Sequence, residues 1–241
     1  MNIPNQDNPL LPQDNTAGPL PWSLSDTWIG LGLLVILLAA SVLAVSIFKP
    51  AVIYGTVIVV FLELAFILPA VIFLVVRHAN FELLGYRRFK AGFVGIGCGL
   101  LIASYLITIF NNAIFVKLGI STQANDMERI LAGISSPVWF IITAVIIAPI
   151  VEETFFRGFL FAGFRQRYGY QKAALLSSAL FAIAHHQAAA LIPTFLLGYI
   201  FSHLYQKSNS ILPGMFMHFL VNAFGVIGLL AMMHFGTLTP R

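Results

Sequence analysis

The sequence predicts an all-α fold, a polytopic transmembrane bundle of about seven helices. Three observations predict it. Hydrophobic residues make up 59% of the 241 positions and charged residues only 9%, against roughly 25% charged in soluble domains. The mean hydropathy is +0.91, more apolar surface than one soluble domain can hide. The apolar residues also fall into runs near the roughly 20 residues needed to cross a hydrocarbon core of about 30 Å.

In chain order, residues 1–26 contain no Lys or Arg and are rich in Asn, Pro, Asp and Gln. Without a positive n-region they do not read as a cleavable signal peptide, and their composition predicts a disordered leader. Residues 27–136 are predicted to hold three helices: Thr27 to Phe48, Ala51 to Val76 and Ala91 to Val116. Lys49-Pro50 ends the first and Arg77-His78 the second. Residues 79–90 read as a polar, basic connection, and 117–136 as a surface loop or short interfacial helix.

A fourth helix is predicted from Pro137, with Ser136 as N-cap and proline at the favoured first position. It runs on to about Arg167, longer than one crossing. Gln171 to His186, Ala188 to Tyr205 and Ile211 to Met233 follow as the fifth, sixth and seventh, the fifth and sixth being so close that they could form one interrupted element. Residues 137–235 form the second half of the bundle and 236–241 a short tail.

Net charge is +4, and no basic run exceeds Arg87-Arg88-Phe89-Lys90, so the charge points to membrane orientation and not to nucleic acid. With seven spans, eight basic residues (Arg77, Arg87, Arg88, Lys90, Arg165, Arg167, Lys172, Lys207) fall on the side of the N-terminus and four (Lys49, Lys117, Arg129, Arg241) on the other. The positive-inside bias predicts a cytoplasmic N-terminus. The single cysteine, Cys98, excludes an intrachain disulfide and reads as a small buried hydrophobe.

Ionisable residues inside these runs are costly, about 2.5–3.5 kcal/mol each on insertion scales, and mark function by default. Glu152 and Glu153 sit side by side in the fourth run, with Arg157 four residues after Glu153. That spacing lets Glu153 and Arg157 pair on one helix face. Glu152 points about 100° away and is left to face something else. His185 and His186 end a segment rich in small residues, and His218 and Asn222 share a face at i, i+4. Carboxylates, an imidazole and a His–Asn pair suit amide hydrolysis: a base activates water, and donors hold the tetrahedral oxyanion. His-Glu-x-x-His, the common zinc-protease helix, is absent. Glu63 falls mid-span in the second run, where Asn111 or Asn112 could partner it.

Three ordered motifs carry a family resemblance: Glu152-Glu153-Thr154-Phe155-Phe156-Arg157, Phe181-Ala182-Ile183-Ala184-His185 and His218-Phe219-Leu220-Val221-Asn222, the last preceded by Pro213-Gly214. Together they resemble the CAAX prenyl protease and bacteriocin-processing family (CPBP, or Abi) of intramembrane metalloproteases, over roughly residues 137–225. The resemblance implies a polar cavity within the bundle and an endopeptidase acting on a membrane-embedded or lipidated protein or peptide. Glu152 and His185 would activate water, His218 and Asn222 would stabilise the oxyanion, and Glu153 and Arg157 would support the cavity. His186 is an addition beside the motif histidine.

The motifs leave the cofactor open between Zn2+, with Glu152, His185 and His218 as candidate ligands, and none. The expected partners are the lipid bilayer and a membrane-associated substrate, with no nucleic acid, and the expected location is a bacterial cytoplasmic membrane. Two other classes compete. A non-catalytic bacteriocin-immunity or scaffold protein of the same fold would function without Glu152, His185 and His218. A transporter would show inverted repeats and paired broken helices, which the sequence does not show clearly.

Overall fold

The computed structural model describes residues 20–48, 55–133 and 137–235. The predicted cap at Ser136 and the tail 236–241 lie outside these residues. The elements are α1 (Leu24–Phe48), α2 (Gly55–Val76), α3 (Gly92–Lys117), α4 (Gln123–Gly133), α5 (Pro137–Ala184), α6 (Leu191–Ser208) and α7 (Leu212–His234). Among the described residues six are long and apolar enough to cross a membrane; α4 is too short and too polar. Large apolar side chains face outward, such as Ile36, Ile102 and Phe110 at 66–70% exposure. A soluble monomer does not tolerate so continuous an apolar exterior. The chain is an integral, multi-pass membrane protein.

The six runs differ from the expected seven only in that two of the expected segments are joined end to end. The expected fourth and fifth segments form one run, α5, of 48 residues. Straight, it would reach about 72 Å at 1.5 Å per residue, more than twice the hydrocarbon thickness. It is instead folded at Gly169, whose φ of 73° and ψ of 172° lie in a region open essentially to glycine alone. The two arms pack antiparallel. Phe161 meets Tyr170 with ring centroids 6.3 Å apart, Phe156 meets Phe181 at 5.1 Å, and Ser177 Oγ donates to the Phe156 carbonyl at 2.7 Å. The chain thus reverses where the sequence suggested, but through one residue and not a loop. Gly169→Ala is expected to destabilise the protein by about 1–3 kcal/mol through backbone strain, read as a lower thermal unfolding midpoint in detergent.

The fifth and sixth segments, which could have formed one interrupted element, are separate helices. His185 to Gln187 form a turn, and a short 3-10 helix, Ala188–Ala190, leads into α6.

Residues 20–26, assigned to the leader from composition, are ordered. Trp22 is 1% exposed and packs on Phe159 at 5.5 Å. Ser23 and Asp26 cap α1 reciprocally: Ser23 N–H donates to Asp26 at 2.8 Å, and Asp26 N–H donates to Ser23 Oγ at 3.1 Å. Arg77, at the end of α2, donates to both Asp26 oxygens at 2.8 and 3.0 Å. The start of α1 is therefore tied to the end of α2.

The connection between α2 and α3 is more than a polar linker. Its 3-10 turn, Phe81–Leu84, buries Leu84 fully against α5. Gly158 permits this: a Cβ there would stand 2.7 Å from the Leu84 carbonyl oxygen. Ser210 Oγ donates to the Arg87 carbonyl at 2.6 Å and Ile211 N–H to the Gly85 carbonyl at 2.9 Å. Non-helical backbone that enters a membrane bundle must be satisfied by protein in this way. The core is an aromatic ladder on α5, with Phe155, Phe156, Phe159, Phe161 and Phe164 each at most 2% exposed.

Candidate active site

Two π-helical stretches shape the middle of α5, Thr143–Ile147 and Thr154–Phe161, with Ala148–Glu153 between them. Proline lacks the N–H for the i−4 bond, and its ring clashes with that carbonyl. The first wide turn therefore falls just before Pro149, and Ala148 N–H reaches back to the Thr143 carbonyl. Such π turns recur at functional sites. Here they bracket Glu152 and Glu153.

Glu153 and Arg157 pair as their spacing requires. Arg157 Nη1 donates to Glu153 Oε1 at 2.8 Å, with both side chains wholly buried. The guanidinium face lies on the rings of Phe181, at 4.4 Å from the centroid, and Phe201, at 5.3 Å, a favourable cation–π geometry. Phe181 also contacts His185 at 4.8 Å and His218 at 5.7 Å. The phenylalanine of the second motif is thus a packing hub for three polar members of the site. Gly198 lets α6 approach, since a Cβ there would stand 3.0 Å from Arg157 Nη2.

His218, on α7, joins the two glutamates, which the sequence had assigned to separate faces. Its Nδ1 lies 3.3 Å from Glu153 Oε1 and its Nε2 lies 3.8 Å from Glu152 Oε2. Because Glu153 is held by Arg157, its carboxylate accepts from His218 and orients the ring, as a second partner does for functional histidines. The Glu152 contact exceeds hydrogen-bonding distance. Glu152 Oε2 is buried without a hydrogen-bond partner, as are Glu153 Oε2 and Arg157 Nε and Nη2.

The other expected members stand differently. His185 caps the second arm of α5, and its Nδ1 pairs with the Phe181 carbonyl at 2.8 Å, leaving Nε2 available. It lies within electrostatic range of His218 and Arg157. Asn222, expected beside His218 as an oxyanion donor, instead donates Nδ2–H to the Ala144 carbonyl at 2.7 Å, in the first π stretch. That carbonyl is available because the wide turn loosens the regular i−4 ladder. Glu63 does not meet Asn111, which donates to the Ala189 carbonyl at 2.7 Å. Glu63 stands within electrostatic range of Glu152, with one carboxyl oxygen buried and unpartnered.

One contributor was missed by sequence reading. Tyr86, from the α2–α3 connection, shares a 2.5 Å hydroxyl contact with Thr154, next to Glu153. Burial pushes its phenol above the ordinary range, and the nearby Glu153 carboxylate adds to this. No spacing pattern links residue 86 to residue 154.

A cavity of about 480 Å³ lies between α5 and α7, lined by apolar groups including Ile146, Pro149, Ile150, Met215, Phe216 and Phe219. The carboxylates and imidazoles do not line it. Among the described residues, no three His, Cys, Asp or Glu side chains gather closely enough to hold a metal ion. Glu152, His185 and His218 do not form such a group in this arrangement.

A buried carboxylate, an oriented imidazole and an ion pair inside a membrane bundle define the class: a polytopic membrane protein with a hydrolase-like polar centre. Residues 134–224 match the type II CAAX prenyl endopeptidase Rce1-like family, the stretch that holds the three motifs. Among curated proteins it is 28% identical over 162 residues to YdiL of Bacillus subtilis (strain 168), described as a candidate membrane peptidase. It is 35% identical over 81 residues to the UPF0177 protein YxdF of Lactococcus lactis, and 33% identical over 108 residues to an uncharacterized 24.3 kDa protein of Escherichia coli. These matches cover 65%, 33% and 42% of this chain, and 66%, 44% and 50% of the respective relatives. No solved structure matches the chain.

Proposed function

We propose that this protein is an intramembrane endopeptidase that hydrolyses a peptide bond in a membrane-embedded or lipidated protein or peptide. The observation that carries this reading is the buried relay Arg157–Glu153–His218–Glu152, which joins α5 to α7 within the apolar bundle. A purely structural ion pair would need only Glu153 and Arg157. Glu152 adds a second carboxylate with an unpartnered oxygen aimed at an oriented imidazole, at a cost the fold itself does not require.

Glu152 acts as the general base. Water attacks the scissile carbonyl carbon, one water proton passes to Glu152, and the tetrahedral intermediate forms. Its collapse breaks the C–N bond, and the proton held by Glu152 moves to the leaving amine. His185, through its free Nε2, helps to orient the water. His218 serves the oxyanion, its ring oriented by Glu153. Asn222 joins the oxyanion site only on leaving the Ala144 carbonyl, so substrate binding is expected to reshape the first π stretch.

The test is cleavage of membrane-anchored reporter peptides by the purified chain in proteoliposomes, comparing wild type with His185→Ala and Glu152→Gln. Full activity in both variants on a confirmed substrate sinks the assigned roles. Activity retained in chelated protein shown by metal analysis to be metal-free supports the direct-base mechanism. A requirement for stoichiometric zinc would overturn it.

The end of the bundle formed by residues 20–26, 77–91, the Gly169 fold and 206–211 carries the eight clustered basic residues. We infer that this end faces the cytoplasm of a bacterial cell.

A further inference from the structure

The backbone immediately after His185 is strained. His186 has φ +52°, a left-handed conformation uncommon for a residue other than glycine. Such strain persists only where surrounding contacts over-determine it. Two long-range side-chain bonds hold this turn. Asn111, buried at the far end of α3, donates to the Ala189 carbonyl at 2.7 Å. Gln187 donates Nε2–H to Asp126 Oδ2 on α4 at 2.5 Å. The other Asp126 oxygen accepts from Ser121 Oγ at 2.9 Å and lies 3.6 Å from Arg129 Nη1. The Asp126 end of this grip is thereby fixed.

The amphipathic helix α4 is itself anchored. Leu131 and Met127 pack with Phe140 and Ala144 of α5 and Leu229 of α7, close to the carbonyl that holds Asn222. The turn at residues 185–190 is therefore gripped from α3 on one side and from α4 on the other. Asn111 and Asp126 both precede residue 134, outside the family-matched stretch.

We infer that Asp126 and Asn111 are positioning residues that clamp the 185–190 turn in its strained form and so fix the His185 imidazole relative to Glu152 and His218. The inference rests on the peptidase reading for its effect on turnover, but the clamp can be read without turnover. In the purified full-length chain, Asp126→Ala and Asn111→Leu lower kcat about tenfold or more through misplacement of the imidazole, with KM unchanged. Asp126→Asn, which keeps an acceptor for Gln187, retains wild-type kcat. Adding His186→Gly to Asp126→Ala restores much of the loss, because glycine holds the left-handed turn without a clamp. A role in bulk stability would not be rescued at that position.

Hydrogen exchange followed by mass spectrometry supplies the second readout: amides of 185–190 exchange faster in Asp126→Ala, while α5 and α7 stay protected. Wild-type kcat in both clamp variants, a loss confined to KM, or unchanged exchange at 185–190 would each overturn the clamp. If no form cleaves any reporter, the peptidase reading fails while the exchange result still decides the clamp.

Discussion

Glu152→Gln is expected to lower kcat by about 10²–10⁴-fold, the range a positioned general base contributes, while the thermal unfolding midpoint stays at or above that of wild type. Glutamine keeps the size and one hydrogen-bonding oxygen but cannot take the proton from water. Stability is not expected to fall, because Glu152 Oε2 is buried without a hydrogen bond and its contact with His218 Nε2 is long, at 3.8 Å. Removing a buried carboxylate that stands within electrostatic range of Glu63 and Glu153 relieves a cost of intramembrane burial. The measurement is single-turnover cleavage alongside thermal unfolding in the same detergent. A variant that melts normally and cleaves at the wild-type rate rules Glu152 out as the base.

Arg157→Leu is expected to act in the opposite way, on the fold before the chemistry. The guanidinium is wholly buried, donates to Glu153 at 2.8 Å and stacks on Phe181. Its loss leaves the Glu153 carboxylate buried without a counter-charge, a change that typically costs about 3–5 kcal/mol. The protein is expected to melt much lower or to fail to accumulate. The double variant Glu153→Gln/Arg157→Leu should recover part of the loss, since both ends of the pair are neutral. A single Arg157→Leu variant with an unchanged midpoint would show that the pair does not hold α5, α6 and α7 together.

Helices α1, α2 and α3 were legible as apolar runs because a membrane span must satisfy its own backbone and cover itself with apolar side chains, a local demand. The pairing of Glu153 with Arg157 was legible for the same kind of reason, as it depends only on four-residue spacing within one helix. The reversal near residues 167–171 was visible as a break in hydropathy. That a single glycine at φ 73° makes it could not be seen, because composition does not report backbone conformation.

The candidate residues themselves, Glu152, Glu153, Arg157, His185, His218 and Asn222, were picked out by the sequence alone, since ionisable and amide groups in apolar runs stand out against their surroundings. Their relations were decided by tertiary structure. Helical geometry sent Glu152 and Glu153 to different faces, yet the position of α7 brings both to one imidazole. Asn222 turns to the Ala144 carbonyl, and Tyr86 enters from the connection that the sequence presents only as polar and basic. Contacts between helices depend on the close approach that Gly158 and Gly198 permit and on π turns that re-aim side chains. Distances across a bundle are set by that packing, and no local spacing encodes them.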